Sequence, residues 1–257
     1  MINSNISRYS DESSPDLRWK DLYKIGAISL IIIVMLLTFA IIAFFIWPYK
    51  PGVSSTVDVF TMLHNNMMSG LLSLDIPMVI IELITILPLL SLYVALKQIN
   101  ESYALIALVI GLVAIILIIP TRPLSELVFI SGKYASATTE AEKNQYIAAG
   151  EVLLTVFKGT SWMVFTVFSG VSCLISSLLM LKSNIFSKAT AYVGIITSTP
   201  GFLFFVPIIG IPILFIGTLS GIIWYILIAR TFIRLGWQKT TVSCAILGPV
   251  FKDEDAD

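Results

Sequence analysis

Six apolar runs are strung along the chain: Ile25–Trp47, Ile76–Leu96, Ala104–Ile119, Trp162–Leu181, Ala189–Val206 and Ile211–Ala229. Each is near the roughly twenty residues that a helix needs to cross about 30 Å of hydrocarbon. Inside lipid every backbone N–H and C=O must find an internal partner, so spans are helices or closed barrels. Barrel strands alternate apolar and polar positions. These runs are apolar throughout, so the pattern predicts an all-α, polytopic membrane protein: a six-transmembrane-helix bundle.

The polar stretches between the runs predict the rest. The stretch from Pro48 to Asp75 holds Phe60, Leu63, Met67 and Leu71 at helical spacing. It predicts an outer amphipathic helix on the membrane or folded over the bundle. The stretch from Pro120 to Ser161 holds the polar segment Ser136–Tyr146, and a helical pattern begins again at Gln145. One unbroken helix from Gln145 to Lys182 is about 57 Å long at 1.5 Å per residue and projects beyond the bilayer. The other connections are short, as in hairpins of neighbouring antiparallel helices. Pro200, Gly201, Pro207, Gly210 and Pro212 interrupt the apolar stretch Lys188–Ala229, which is too long for one crossing, so a turn is expected near Val206–Pro212.

Composition agrees with the pattern. The chain is 57% hydrophobic and 12% charged, against about 25% charged residues in soluble domains. Its net charge of zero argues against a nucleic-acid partner. Eleven Lys and Arg fall before the first run, in the second–third and fourth–fifth connections, and after the sixth run. The other side has five: Lys50, Arg122, Lys133, Lys143 and Lys158. The bias predicts both termini in the cytoplasm of a cell-membrane protein. Residues 1–24 then form a cytoplasmic segment, 25–235 the membrane domain, and 236–257 an acidic cytoplasmic tail. The first run is too long for a cleavable signal and stays as a span. Cys173 and Cys244 fall at different depths, so no disulfide is expected.

A particular pattern joins the second and third runs. In Leu90–Val109, LSLYVALKQINESYALIALV, an L-Y-x-x-L-K segment closes one span, a polar turn with Asn100 follows, and a new span opens. With Leu181–Gly194, LKSNIFSKATAYVG, and six spans, the chain resembles the bacterial and archaeal membrane family called domain of unknown function 4386. The resemblance covers Ile25–Leu235. It implies a six-helix membrane fold and no established activity, so it assigns no functional residues.

Few polar side chains fall inside the runs. Glu82 lies about a turn and a half into the second run, between Ile81 and Leu83. A carboxylate at depth costs about 2.5 kcal/mol or more, so it faces the bundle, is protonated, or has a partner. Asp75 is seven residues earlier on nearly the same face. The two read either as a cation or proton entry site, or as a helix cap and a structural hydrogen bond. Glu151 and Lys158 repeat the spacing before the fourth run, and Lys158 has Glu82 and Glu151 as candidate partners. His64 and Met68 stand at i,i+4 with Met62 and Met67 nearby, a soft donor set for copper or simply packing. Ser169, Gly170, Ser172, Ser176 and Ser177 suit close helix packing or interhelical hydrogen bonds.

No nucleophile–base pair, nucleotide fingerprint or H-E-x-x-H zinc motif is present in the sequence, and no cofactor is implied. The bilayer is the one sure partner. Two readings lead: a non-enzymatic sensing, regulatory or scaffold protein, or a binder or transporter of a small solute, ion or lipid through an intramembrane carboxylate. An enzyme acting on lipid stands behind both. Oligomeric state is open.

Overall fold

The computed structural model describes residues 17–46, 54–206 and 208–238. The expected acidic tail and most of the N-terminal segment lie outside these residues. The helices in chain order are α1 (Lys20–Ile46), α2 (Thr56–Asn65), α3 (Met67–Ser73), α4 (Ile76–Leu96), α5 (Glu101–Ile118), α6 (Leu124–Ser136), α7 (Glu140–Val156), α8 (Thr160–Lys182), α9 (Lys188–Ser198), α10 (Pro200–Leu203) and α11 (Gly210–Gly236).

Local chemistry sets the helix starts. Ser55 accepts from the Asp58 N–H at 3.1 Å, and the Asp58 carboxylate accepts from the Ser55 N–H at 2.9 Å. Thr139 and Glu142 form the same reciprocal box at α7. Single side-chain caps from Asn100 and Ser187 open α5 and α9. The hydroxyl and amide oxygens satisfy N–H groups that have no partner in a first helical turn.

Six helical units close into a ring. α1 packs on α4, α4 on α5, α5 on α8, α8 on α9, α9 on α11, and α11 back on α1. Outward faces are apolar: Ile28, Met35 and Ile42 on α1, Leu105, Val109 and Ile116 on α5, and Ile216, Leu219 and Ile223 on α11 are all exposed. A helix hydrophobic all round belongs in a core or a membrane, and here lipid covers these faces. Among the described residues, five helical segments are long and apolar enough to cross a membrane. The fifth apolar run does not make a sixth of that kind. Proline lacks the N–H that continues a helix, and Pro200 splits the run into α9 and the four-residue α10. The run still fills its place in the ring. The chain turns at residues 204–206 and 208–209, slightly earlier than the sequence suggests, and Ile208 adopts a left-handed φ of 74°.

The stretch between α1 and α4 is not one amphipathic helix. Asn66 has an extended backbone, φ −153° and ψ 94°, and its side chain starts α3. Phe60 and Leu63 are buried as expected, but Met67 is exposed. Phe60 and Leu63 join Val59, Leu74 and Leu127 in a second apolar core, with Tyr134, Tyr146 and Phe157 against it. α2, α3, α6 and α7 thus form a cap over one end of the ring. The helix expected from Gln145 to Lys182 is also corrected. It starts at Glu140, so part of the polar Ser136–Tyr146 segment is helical, and it breaks at Phe157–Gly159 before α8. Gly159, extended at ψ −176°, begins α8 afresh.

The main apolar core lies at the ring end away from the cap. It includes Tyr23, Leu30, Leu96, Met180, Phe186, Ile228 and Phe232. A smaller cluster of Ala114, Ile118 and Phe165 sits nearer the cap. Between α8 and α10 the backbones touch: a Cβ on Gly170 would lie 2.8 Å from the Gly201 Cα. Only glycine at both positions permits that approach.

Candidate functional site

Between the far core and the cap, the ring encloses a cavity of about 130 Å³. α4 supplies Glu82, Thr85 and Pro88; α8 supplies Ser169, Ser172, Cys173 and Ser176; α11 supplies Trp224 and Tyr225. Phe165 of α8, Gly111 of α5 and aliphatic side chains of α1, α4, α5 and α11 complete the wall. α9 contributes none of it.

Pro88 shapes α4 here. Its ring replaces an N–H, so the Ile84 carbonyl loses its helical partner. Thr85 turns its hydroxyl back to the Ile81 carbonyl at 2.8 Å, and Ser172 donates to the Ala107 carbonyl of α5 at 2.7 Å. The Cys173 thiol donates to the Gly194 carbonyl of α9 at 3.3 Å. Ser169 and Ser176 make no hydrogen bond among the described residues. The small-residue run of α8 therefore does two things. Gly170 closes one seam, while its serines hold α5 and line the cavity.

Glu82 faces this space with no hydrogen bond and no ion pair among the described residues. Asp75, two turns earlier, is different. Arg122 donates to Asp75 Oδ2 through Nε at 3.0 Å, and its second nitrogen, Nη2, is also 3.0 Å away. Nη1 donates to Thr121 Oγ1 at 2.8 Å and to the Phe157 carbonyl at 3.4 Å. The guanidinium stands 4.9 Å from the Phe157 ring centroid. The Arg122 side chain is 7% exposed, that of Asp75 43%. This cation joins the start of α4, the turn after α5 and the break between α7 and α8. Asp75 itself has a left-handed φ of 76° and makes no side-chain cap, so it is not the capping residue its position suggests.

The other expected residues do not gather here. Lys158 and Glu151 are exposed, and neither forms an ion pair among the described residues. The Lys158 partner expected for Glu82 is absent among the described residues, and the buried Arg122 holds Asp75 instead. His64 ends α2 and Met68 lies in α3, both exposed. The bend at Asn66 removes the shared helical face that made them an i,i+4 donor pair. Among the described residues no group of three or more His, Cys, Asp or Glu side chains can hold a metal ion. Arg122 was visible in the sequence only as one positive charge beside Pro123; its contacts reach residues 47 and 35 positions away.

In the cap, Asp58 is held below the usual carboxylate range by hydrogen bonds from the Ser55 backbone and hydroxyl.

Fold and site together define a polytopic all-α membrane protein with a cavity among its helices that is apolar but for a few side chains. Residues 25–237 match the model of the domain of unknown function 4386 family, and the chain belongs to that family. No curated protein and no solved structure matches it.

Proposed function

We propose that this protein is a non-enzymatic binder of a small cationic solute, serving sensing or transport, with Glu82 as the counter-charge. The observation that carries the reading is the unpartnered Glu82 carboxylate on the wall of the cavity. Polar groups at membrane depth are costly and are retained where they bind or move something. Two turns away an equivalent carboxylate has its cation built in; Glu82 has space instead. In the orientation that the Lys and Arg bias favours, the cap faces outward and both termini inward. Glu82 then lies nearer the outer end of α4, and solute reaches it from beneath the cap.

The test is thermal unfolding of purified protein in lipid nanodiscs, wild type against Glu82→Gln, with and without methylammonium chloride at matched ionic strength. A ligand that binds the folded state raises its stability with concentration. Methylammonium is expected to raise the wild-type midpoint and leave Glu82→Gln unmoved. An equal response in both proteins would overturn the reading.

A further inference from the structure

Resting on that reading, we infer that the occupant is a short primary alkylammonium ion rather than an alkali-metal or quaternary ammonium ion.

Size is the first ground. A cavity of about 130 Å³ is close to the roughly 150 Å³ of an engineered protein cavity that admits benzene. That space suits an ammonium group with a few carbons attached. A bare alkali-metal ion needs a ring of converging oxygens to replace its hydration shell, as the carbonyls of potassium filters do. The wall offers one carboxylate and a few hydroxyls, spread over helices that stand apart.

Hydrogen-bond polarity is the second ground. Thr85 and Ser172 spend their protons on the Ile81 and Ala107 carbonyls. What they turn to the cavity is lone pairs. They join the Glu82 carboxylate as acceptors, and the Ser169, Ser176 and Tyr225 hydroxyls, unengaged among the described residues, can each accept or donate. Trp224 brings an N–H, but that edge lies against α9: a Cβ on Gly194 would fall 2.5 Å from Nε1 and against the Ser177 hydroxyl. Among the described residues the indole N–H has no partner, and it lies on the side that lends nothing to the wall. A primary ammonium has three donors and no acceptor, which matches such a wall. A quaternary ammonium has no donor and leaves the carboxylate without a hydrogen bond.

Aromatic and aliphatic surface is the third ground. Phe165, Trp224 and Tyr225 line the same space as Leu89, Leu92 and Ile115. Ring faces attract cations and also cover alkyl groups. The wall thus pairs one anionic patch edged by hydroxyls that can accept with an apolar remainder, the complement of an ammonium head on a short alkyl chain.

The experiment is a panel on the reconstituted full chain in nanodiscs, read as the rise in unfolding midpoint with concentration. The probes are methylammonium, propylammonium, butylammonium, tetramethylammonium, sodium and potassium chlorides at constant ionic strength. Propylammonium or butylammonium is expected to act at concentrations at least tenfold below tetramethylammonium, sodium or potassium. Ser169→Ala, which breaks no hydrogen bond within the protein, is expected to shift the propylammonium response several-fold to higher concentration. Glu82→Gln is expected to abolish it. Sodium or tetramethylammonium acting best, and only with Glu82 present, would overturn the ligand class and leave the cation-binding reading standing. No Glu82-dependent response to any cation would overturn both. The wild-type panel decides the class even where a variant fails to fold.

Discussion

Asp75 and Glu82 sit two turns apart on the same end of α4 and meet opposite fates. Asp75 is held by a buried Arg122 that also binds the carbonyls of Thr121 and Phe157. Glu82 looks into an open cavity and is held by nothing among the described residues. One carboxylate is a structural joint between the cap and the ring; the other is the one proposed to meet a ligand. Burial alone does not separate them, since both sit where a lone charge is costly. What separates them is whether a cation from elsewhere in the chain arrives.

The largest effect is expected from removing that cation. Arg122→Ala takes away the partner of Asp75, two carbonyl contacts and the stacking on Phe157. Breaking a buried pair from one side costs about 3 kcal/mol or more, and the partial exposure of Asp75 places this case at the low end. A fall in the unfolding midpoint matching less than about 1 kcal/mol would show that the joint is not structural.

Asp75→Asn comes next. It keeps a residue type that tolerates the left-handed φ and removes only the charge. Charge-assisted hydrogen bonds contribute roughly 2 kcal/mol, and a similar loss is expected. In a double-mutant cycle the Arg122 and Asp75 changes should be clearly non-additive; simple addition would break the contrast between the two carboxylates.

Glu82→Gln should have the reverse sign. In the absence of ligand it removes an unpaired charge and gains roughly 1 kcal/mol, because an uncompensated buried charge is destabilising. If Gln destabilises, Glu82 is an engaged partner like Asp75 and the comparison collapses.

The smallest effect concerns Asp58, a third carboxylate, fully in solvent and held by Ser55. Its carboxyl titrates lower in the folded chain than in the unfolded one. Its contribution is therefore present above the unfolded value, near 3.8, and lost as pH falls through the folded one. Amide exchange, corrected for its intrinsic pH dependence, should show the first turn of α2 losing protection in that acid range. Asp58→Asn, which removes the titrating group, should show little change there.

Much of the architecture was legible before any coordinates. The polar turn at Asn100 that opens a new span, the continuous apolar runs and the proline-broken stretch after Lys188 are local signals, and local chemistry produces them. Glu82 was legible as the odd polar residue in an apolar helix. The reading failed where a few residues had to choose between similar local states. Asn66 and Gly159 each break a pattern whose flanks look helical, and that choice depends on how Phe60, Leu63 and Phe157 pack into the cap.

The sequence by itself determined the class of molecule: a helical membrane protein, with costly polar groups marked at their depth. That follows from free energies that add along the chain, each residue in lipid or water. The tertiary structure alone decided that six helical units close into a ring, that Arg122 reaches Asp75, and that space remains beside Glu82. Spans apolar on every side carry little record of which face turns inward, because lipid is as apolar as a neighbouring leucine. Helix seams are then set by shape, as where Gly170 meets Gly201, and by a few hydrogen bonds such as Ser172 to Ala107. Those contacts join residues far apart in the chain, and they exist only once the ring has closed.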